Sequence, residues 1–74
     1  MDNQHRQIKG YRELNEQEIF RMNEVKEAGL ALGSLVAAME ALPDVDKRWL
    51  AIGRTHLQEG LMALTRAVAK PEFF

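Results

Sequence analysis

The sequence predicts an all-α protein: a short N-terminal arm or helix followed by two long antiparallel helices, a helical hairpin that assembles into a homo-oligomer. Three observations carry this reading. Apolar residues recur every three or four positions over two stretches of about 25 residues each. The segment Pro43-Asp44-Val45-Asp46 interrupts them with a proline and two helix-capping aspartates. A chain of 74 residues without cysteine buries too small a share of its surface to be comfortably stable alone, and association with copies of itself is the remedy left. No segment reads as a strand.

Residues 1–14 show no sustained period and form the arm, with Gly10 allowing a bend. The first helix, residues 16–42, starts at a boundary marked three ways. Asn15 is its N-cap, Glu18 completes a capping box, and Leu14 with Ile19 occupies the positions of a hydrophobic staple. Met22, Val25, Gly29, Leu32, Val36 and Met39 then form a packing seam along one face. A second set, Ala28, Ala31, Leu35, Ala38 and Leu42, widens the apolar stripe beyond what one partner helix covers. Pro43 ends the helix, because its ring forbids continuation and moves its predecessor out of the α region.

Asp44 or Asp46 caps the second helix, residues 45–69, whose face is formed by Leu50, Gly53, Leu57, Leu61, Leu64 and Val68. The short connection makes the helices antiparallel neighbours, and at 1.5 Å per residue the hairpin is roughly 38 Å long. Gly29, Gly33, Gly53 and Gly60 lie inside helices, where each costs about 1 kcal/mol relative to alanine. Glycine there allows either close helix crossing between subunits or a ligand against bare backbone. Trp49, in the first turn of the second helix, is expected to be a core residue, its indole covering the open end of the hairpin. Phe73 and Phe74 either dock on a neighbouring surface or fray.

Charge is unevenly placed. Three cations against one anion give +2 over residues 1–12, whereas five glutamates against Arg21 and Lys26 give −3 over residues 13–27. The net charge of −1 lends no support to DNA or RNA binding. The longest uncharged run, from Ala28 to Met39, is 12 residues, short of the roughly 20 that span a bilayer, and the N-terminus is not signal-like, so a soluble intracellular chain without membrane association is expected. His5 and His56 match no metal-binding spacing, and neither a nucleophile with its base nor a glycine-rich phosphate loop is visible, so no metal, cofactor or enzymatic activity is expected.

What remains is binding. Tyr11 beside Arg12 offers a flat π face next to a planar cation, and Lys26 stands as a cation in an acidic helical surface. Such groups can stack on a base and hold its phosphate, or serve as a packing anchor with a snorkelling neighbour.

At these residues the chain resembles a known family. DNQHRQIKGYREL, the N-E-x-K of Asn23 to Lys26, and RWLAIGRTHLQEGLMALTRAVAKPEFF look like the phage anti-CBASS type two proteins, and a related hairpin occurs in an anti-Thoeris sponge family. The resemblance implies a homohexamer in the cytoplasm of the infected bacterial host. It would sequester cyclic oligonucleotide messengers without cleaving them, and so block CBASS signalling. For cyclic dinucleotides such as cyclic GMP-AMP, it implies stacking by Tyr11 and phosphate contact by Lys26, with His5 and Arg6 in the matching arm segment. For cyclic trinucleotides such as cyclic tri-AMP, it implies a separate pocket where protomers meet, with Arg66 and Thr65 as the matching positions. Arg66 is remote in sequence from the arm, which suits two separate sites. The rival reading is a structural hairpin adaptor whose Tyr11 anchors a protein partner.

Overall fold

The computed structural model describes residues 13–72, and among them it contains two α-helices and no strand. Helix α1 spans Glu16–Glu40 and helix α2 spans Lys47–Ala69. The capping box forms as the sequence dictates. The Glu18 amide donates to Asn15 Oδ1 at 2.8 Å and the Asn15 amide donates to Glu18 Oε1 at 3.0 Å, which satisfies two backbone donors that a helix start leaves without partners. Leu14 is half-buried, but Ile19 of the expected staple remains 48% exposed.

Both helices are shorter at the turn than expected. Helix α1 ends at Glu40 and not at residue 42, because Pro43 excludes Leu42 from the α region and the last turn tightens. The Ala41 amide donates to Ala38 O at 3.3 Å and the Leu42 amide to Met39 O at 3.1 Å. Helix α2 begins at Lys47 and not at residue 45, because Asp46 is the cap, with extended backbone and a carboxylate that accepts the Arg48 and Trp49 amides at 3.0 and 3.1 Å. Lys47 closes the other side of the turn. Its ammonium donates to the carbonyls of Met39, Glu40 and Leu42, at and just beyond the end of α1, where a positive charge also suits the helix dipole.

The seam on α1 lies where the spacing places it: Met22, Val25, Gly29, Leu32 and Met39 are half-buried and Val36 is buried. On α2 the expected face needs one correction. Leu64 is 55% exposed and Thr65 takes the half-buried position, its Oγ1 donating back to Leu61 O at 2.9 Å. A heptad-like stripe read on an untwisted helix drifts by about 20° over two turns, enough to exchange neighbours at a seam's edge. Trp49 also departs from expectation. It covers no core: it is 62% exposed, with the Arg48 guanidinium 5.5 Å from its ring centroid.

Contacts across the seam fix the register. Glu18 meets Lys70, and a Cβ built on Gly29 would lie 3.4 Å from Leu61 Cδ1. Residue numbers of facing positions therefore add to 88–90. The hairpin measures 48 × 24 × 20 Å, and its radius of gyration, 16.0 Å, exceeds the roughly 11 Å of a compact chain of this length. Among the described residues only Val36, 8% exposed, is buried.

Candidate functional site

Tyr11, His5 and Arg6 lie outside the described residues, whereas Lys26, Thr65 and Arg66 lie within them. Lys26 is exposed on the third turn of α1. Arg66 is exposed in the last turn of α2, and Thr65 beside it is half-buried and committed to its own helix through the bond to Leu61.

Distance along the sequence does not carry over into space. With facing numbers adding to 88–90, Arg66 stands level with residues 22–24 of α1, two to four residues from Lys26. That separation is only about 3–6 Å along the hairpin axis. Both cations thus lie in the half of the hairpin from which the arm departs.

The two also share a side. Each follows a seam residue by one position, Lys26 after Val25 and Arg66 after Thr65. In an antiparallel pair of right-handed helices, a step of about 100° past the seam carries both helices toward the same side. The groove along the hairpin bears this out. Gly33 and Ala37, each one past a seam residue of α1, line it together with Arg54 and Gln58, each one past a seam residue of α2. This side therefore carries Lys26, Arg54 and Arg66 beside the bare backbone of Gly33, against which a Cβ would meet nothing within 4 Å.

The opposite side carries residues one position before the seam. There Leu35 is 54% exposed, Trp49 62% and Leu64 55%, interspersed with Ala28, Ala31, Ala38 and Gly60. Leu35 and Trp49 line a second, apolar groove with Val36, Met39, Leu50 and Gly53. The two sides are not cleanly divided: Leu30 and Met62, each one past a seam residue and 67% exposed, stand on the side of Lys26 and Arg66, Arg21, Glu24 and His56 stand on the side of Leu35, and Arg54 lines both grooves.

Ser34 is exposed on α1, and His56 is exposed with its Nδ1 3.3 Å from Glu59 Oε1, one turn along the same helix. Among the described residues no group of three His, Cys, Asp or Glu side chains could hold a metal ion, and no helix is long and apolar enough to cross a membrane. Sequence reasoning missed two features: the Lys47 cap and the pairing of Lys70 with Glu18. The first had a signal, a lysine four residues after a helix-ending proline. The second had a weaker one, a lysine between the last periodic residue and Pro71.

Comparison with known proteins bears on the whole chain. A family model described as "Acb2/Tad1, hairpin domain" matches residues 3–69. The chain is also similar to "Anti-CBASS protein 2" of Pseudomonas phage JBD67, 37% identical over 106 aligned positions that cover 97% of this chain and 98% of the relative. The alignment is longer than the 74 residues here, so the relative carries segments that this chain lacks.

Proposed function

The chain belongs to the family of phage anti-CBASS type two proteins, and from that premise we propose that it binds cyclic oligonucleotide second messengers and holds them intact, depriving the host's CBASS defence of its signal in the cytoplasm of the infected cell. The observation that supports this reading is that the register brings Lys26 and Arg66, both exposed, to one side of the hairpin within a few residues of the same level. An anionic ligand needs accessible cations, and a cyclic nucleotide also needs a surface on which to stack its base. Tyr11, four residues before the Asn15 cap, supplies that surface for cyclic dinucleotides. His5 and Arg6 belong to the same arm. Arg66, with Thr65 beside it, serves cyclic trinucleotides.

The apolar side has the complementary task. A row of exposed Leu35, Trp49 and Leu64 is a surface that self-association covers, and the assembly proposed is a homohexamer. Cation-bearing sides then remain available to ligands. The same apolar row favours a second reading, in which the hairpin is an adaptor that docks on another protein.

Calorimetric titration with a panel that includes cyclic GMP-AMP and cyclic tri-AMP separates the two readings. Sequestration gives saturable binding, and chromatography after heat-denaturing the complex returns the ligand at its original mass. Linear or hydrolysed product would make the protein an enzyme; absence of binding to every cyclic nucleotide would leave the adaptor.

A further inference from the structure

Leu30 and Met62, each 67% exposed, are the most exposed large apolar side chains among the described residues, and neither belongs to the row of Leu35, Trp49 and Leu64. A single apolar side chain in water is ordinary on a protein surface. Two that converge with two cations call for an account.

Leu30 lies one turn beyond Lys26 on α1, and Met62 one turn before Arg66 on α2, so on each helix the apolar residue and the cation share a face. Facing positions that add to 88–90 put Met62 level with residues 26–28 and Leu30 level with residues 58–60. The four side chains thus form one patch. Arg66 and Lys26 stand toward one end of it, Met62 and Leu30 toward the other. At 1.5 Å per residue the patch is roughly 10 Å long, and the usual spacing of packed helices makes it about as wide.

A patch of that size is far too small to hold a protein partner, because stable interfaces cover about 800 Å² on each side. It suits a nucleotide. A nucleotide carries its anion at one end and the broad face of its base at the other, and here about 6 Å, one helical turn, separates cation from apolar side chain. Methionine fits the second task, since its flexible thioether makes favourable contacts with aromatic rings.

We infer that Leu30 and Met62 form the seat for one base of the cyclic dinucleotide whose phosphate Lys26 holds. Both are then binding residues, an assignment that rests on the function proposed above.

The test uses the full chain with cyclic GMP-AMP as the probe. Both side chains are exposed and alanine is the strongest helix former, so Met62→Ala and Leu30→Ala keep the hairpin. Covering about 55 Å² of apolar side chain is worth roughly tenfold in affinity, and each alanine variant is expected to weaken binding by about that factor. Met62→Gln, which keeps the length and loses the apolar surface, weakens it similarly, and Met62→Leu retains it. With carbon-13 in the methionine and leucine methyl groups, saturating ligand moves the Met62 and Leu30 resonances upfield, as the ring current of a base lying on them requires. Oligomer mass and melting temperature stay at the parent values.

Unchanged affinity in both alanine variants, or methyl resonances that stay in place at saturation, overturns the inference and leaves the proposed function standing. A fall in oligomer mass together with affinity makes the pair a contact between copies and overturns it as well. If the parent itself binds no cyclic dinucleotide, the dinucleotide reading fails and the seat fails with it.

Discussion

Tyr11 and Lys26 should contact the same dinucleotide from different chains, a consequence of the helix boundary now fixed at Asn15. Lys26 lies 11 residues beyond that cap, about 16 Å along the helix at 1.5 Å per residue. Tyr11 lies four residues before it, and four extended residues reach at most about 14 Å. An arm doubling back along its own helix would fall short at the backbone, whereas the arm of a neighbouring protomer is under no such limit. Tyr11→Ala and Lys26→Ala should each weaken binding by ~1–3 kcal/mol, the first by removing a stack and the second a charge-assisted phosphate contact. In a shared pocket the two variants complement each other. When they are mixed in equal amounts and reassembled, random assortment in a symmetric assembly leaves roughly one pocket in four with both groups intact. Calorimetry should then resolve a class of tight sites that neither variant has alone. If isotope-labelled chains prove that subunits have exchanged and no tight class appears, the pocket lies within one chain and the argument from reach is wrong.

Light scattering should give the mass of an oligomer, six chains on the proposed assembly, and Leu35→Lys should reduce it without unfolding the hairpin because Leu35 is 54% exposed in the single chain; a monomeric parent at micromolar concentration would refute the argument from core size. Arg66→Ala should lose cyclic tri-AMP and keep cyclic GMP-AMP, and saturation with one ligand should leave the other's titration unchanged. Mutual exclusion would merge the two sites, an outcome that matters because the register brings Arg66 level with residues 22–24. Asp46→Ala removes the acceptor of two backbone amides and should cost about 1 kcal/mol of stability. Chemical denaturation reads this directly, and an unmoved midpoint would mean that water replaces the cap.

The hairpin was legible in the sequence wherever a local rule acted alone. The Asn15 cap and the α1 seam depend on neighbours within a turn or two and lie where their rules put them, and Pro43 ends α1 two residues earlier than expected. The departures occur where a second influence enters. Leu64 and Thr65 exchange places because which of two adjacent residues meets a partner helix depends on how the pair twists. A core place for Trp49 is the expectation because large aromatics are usually buried, but the two helices among the described residues offer it no third wall. Of the candidate site, the residue types were visible from the sequence. That Lys26 and Arg66 share a level and a side was not, since it follows from the register of two helices. Lys70 was harder still, because a lysine in a left-handed cap breaks the preference by which such caps are recognised.

A hairpin whose described residues include a single buried side chain, Val36, holds little folding free energy of its own. On the proposed assembly, folding and association become one equilibrium, and the protein's stability depends on its abundance. For six chains joined by five association steps, each tenfold dilution removes about 1.1 kcal/mol per chain. The first copies made after infection would be dilute, open and accessible to host proteases, and later ones would be protected by those already present. Sequestering capacity would therefore not rise in proportion to synthesis. It would stay low until the chain reached the concentration at which it folds, then rise steeply, so that promoter strength and timing become part of what makes the protein work.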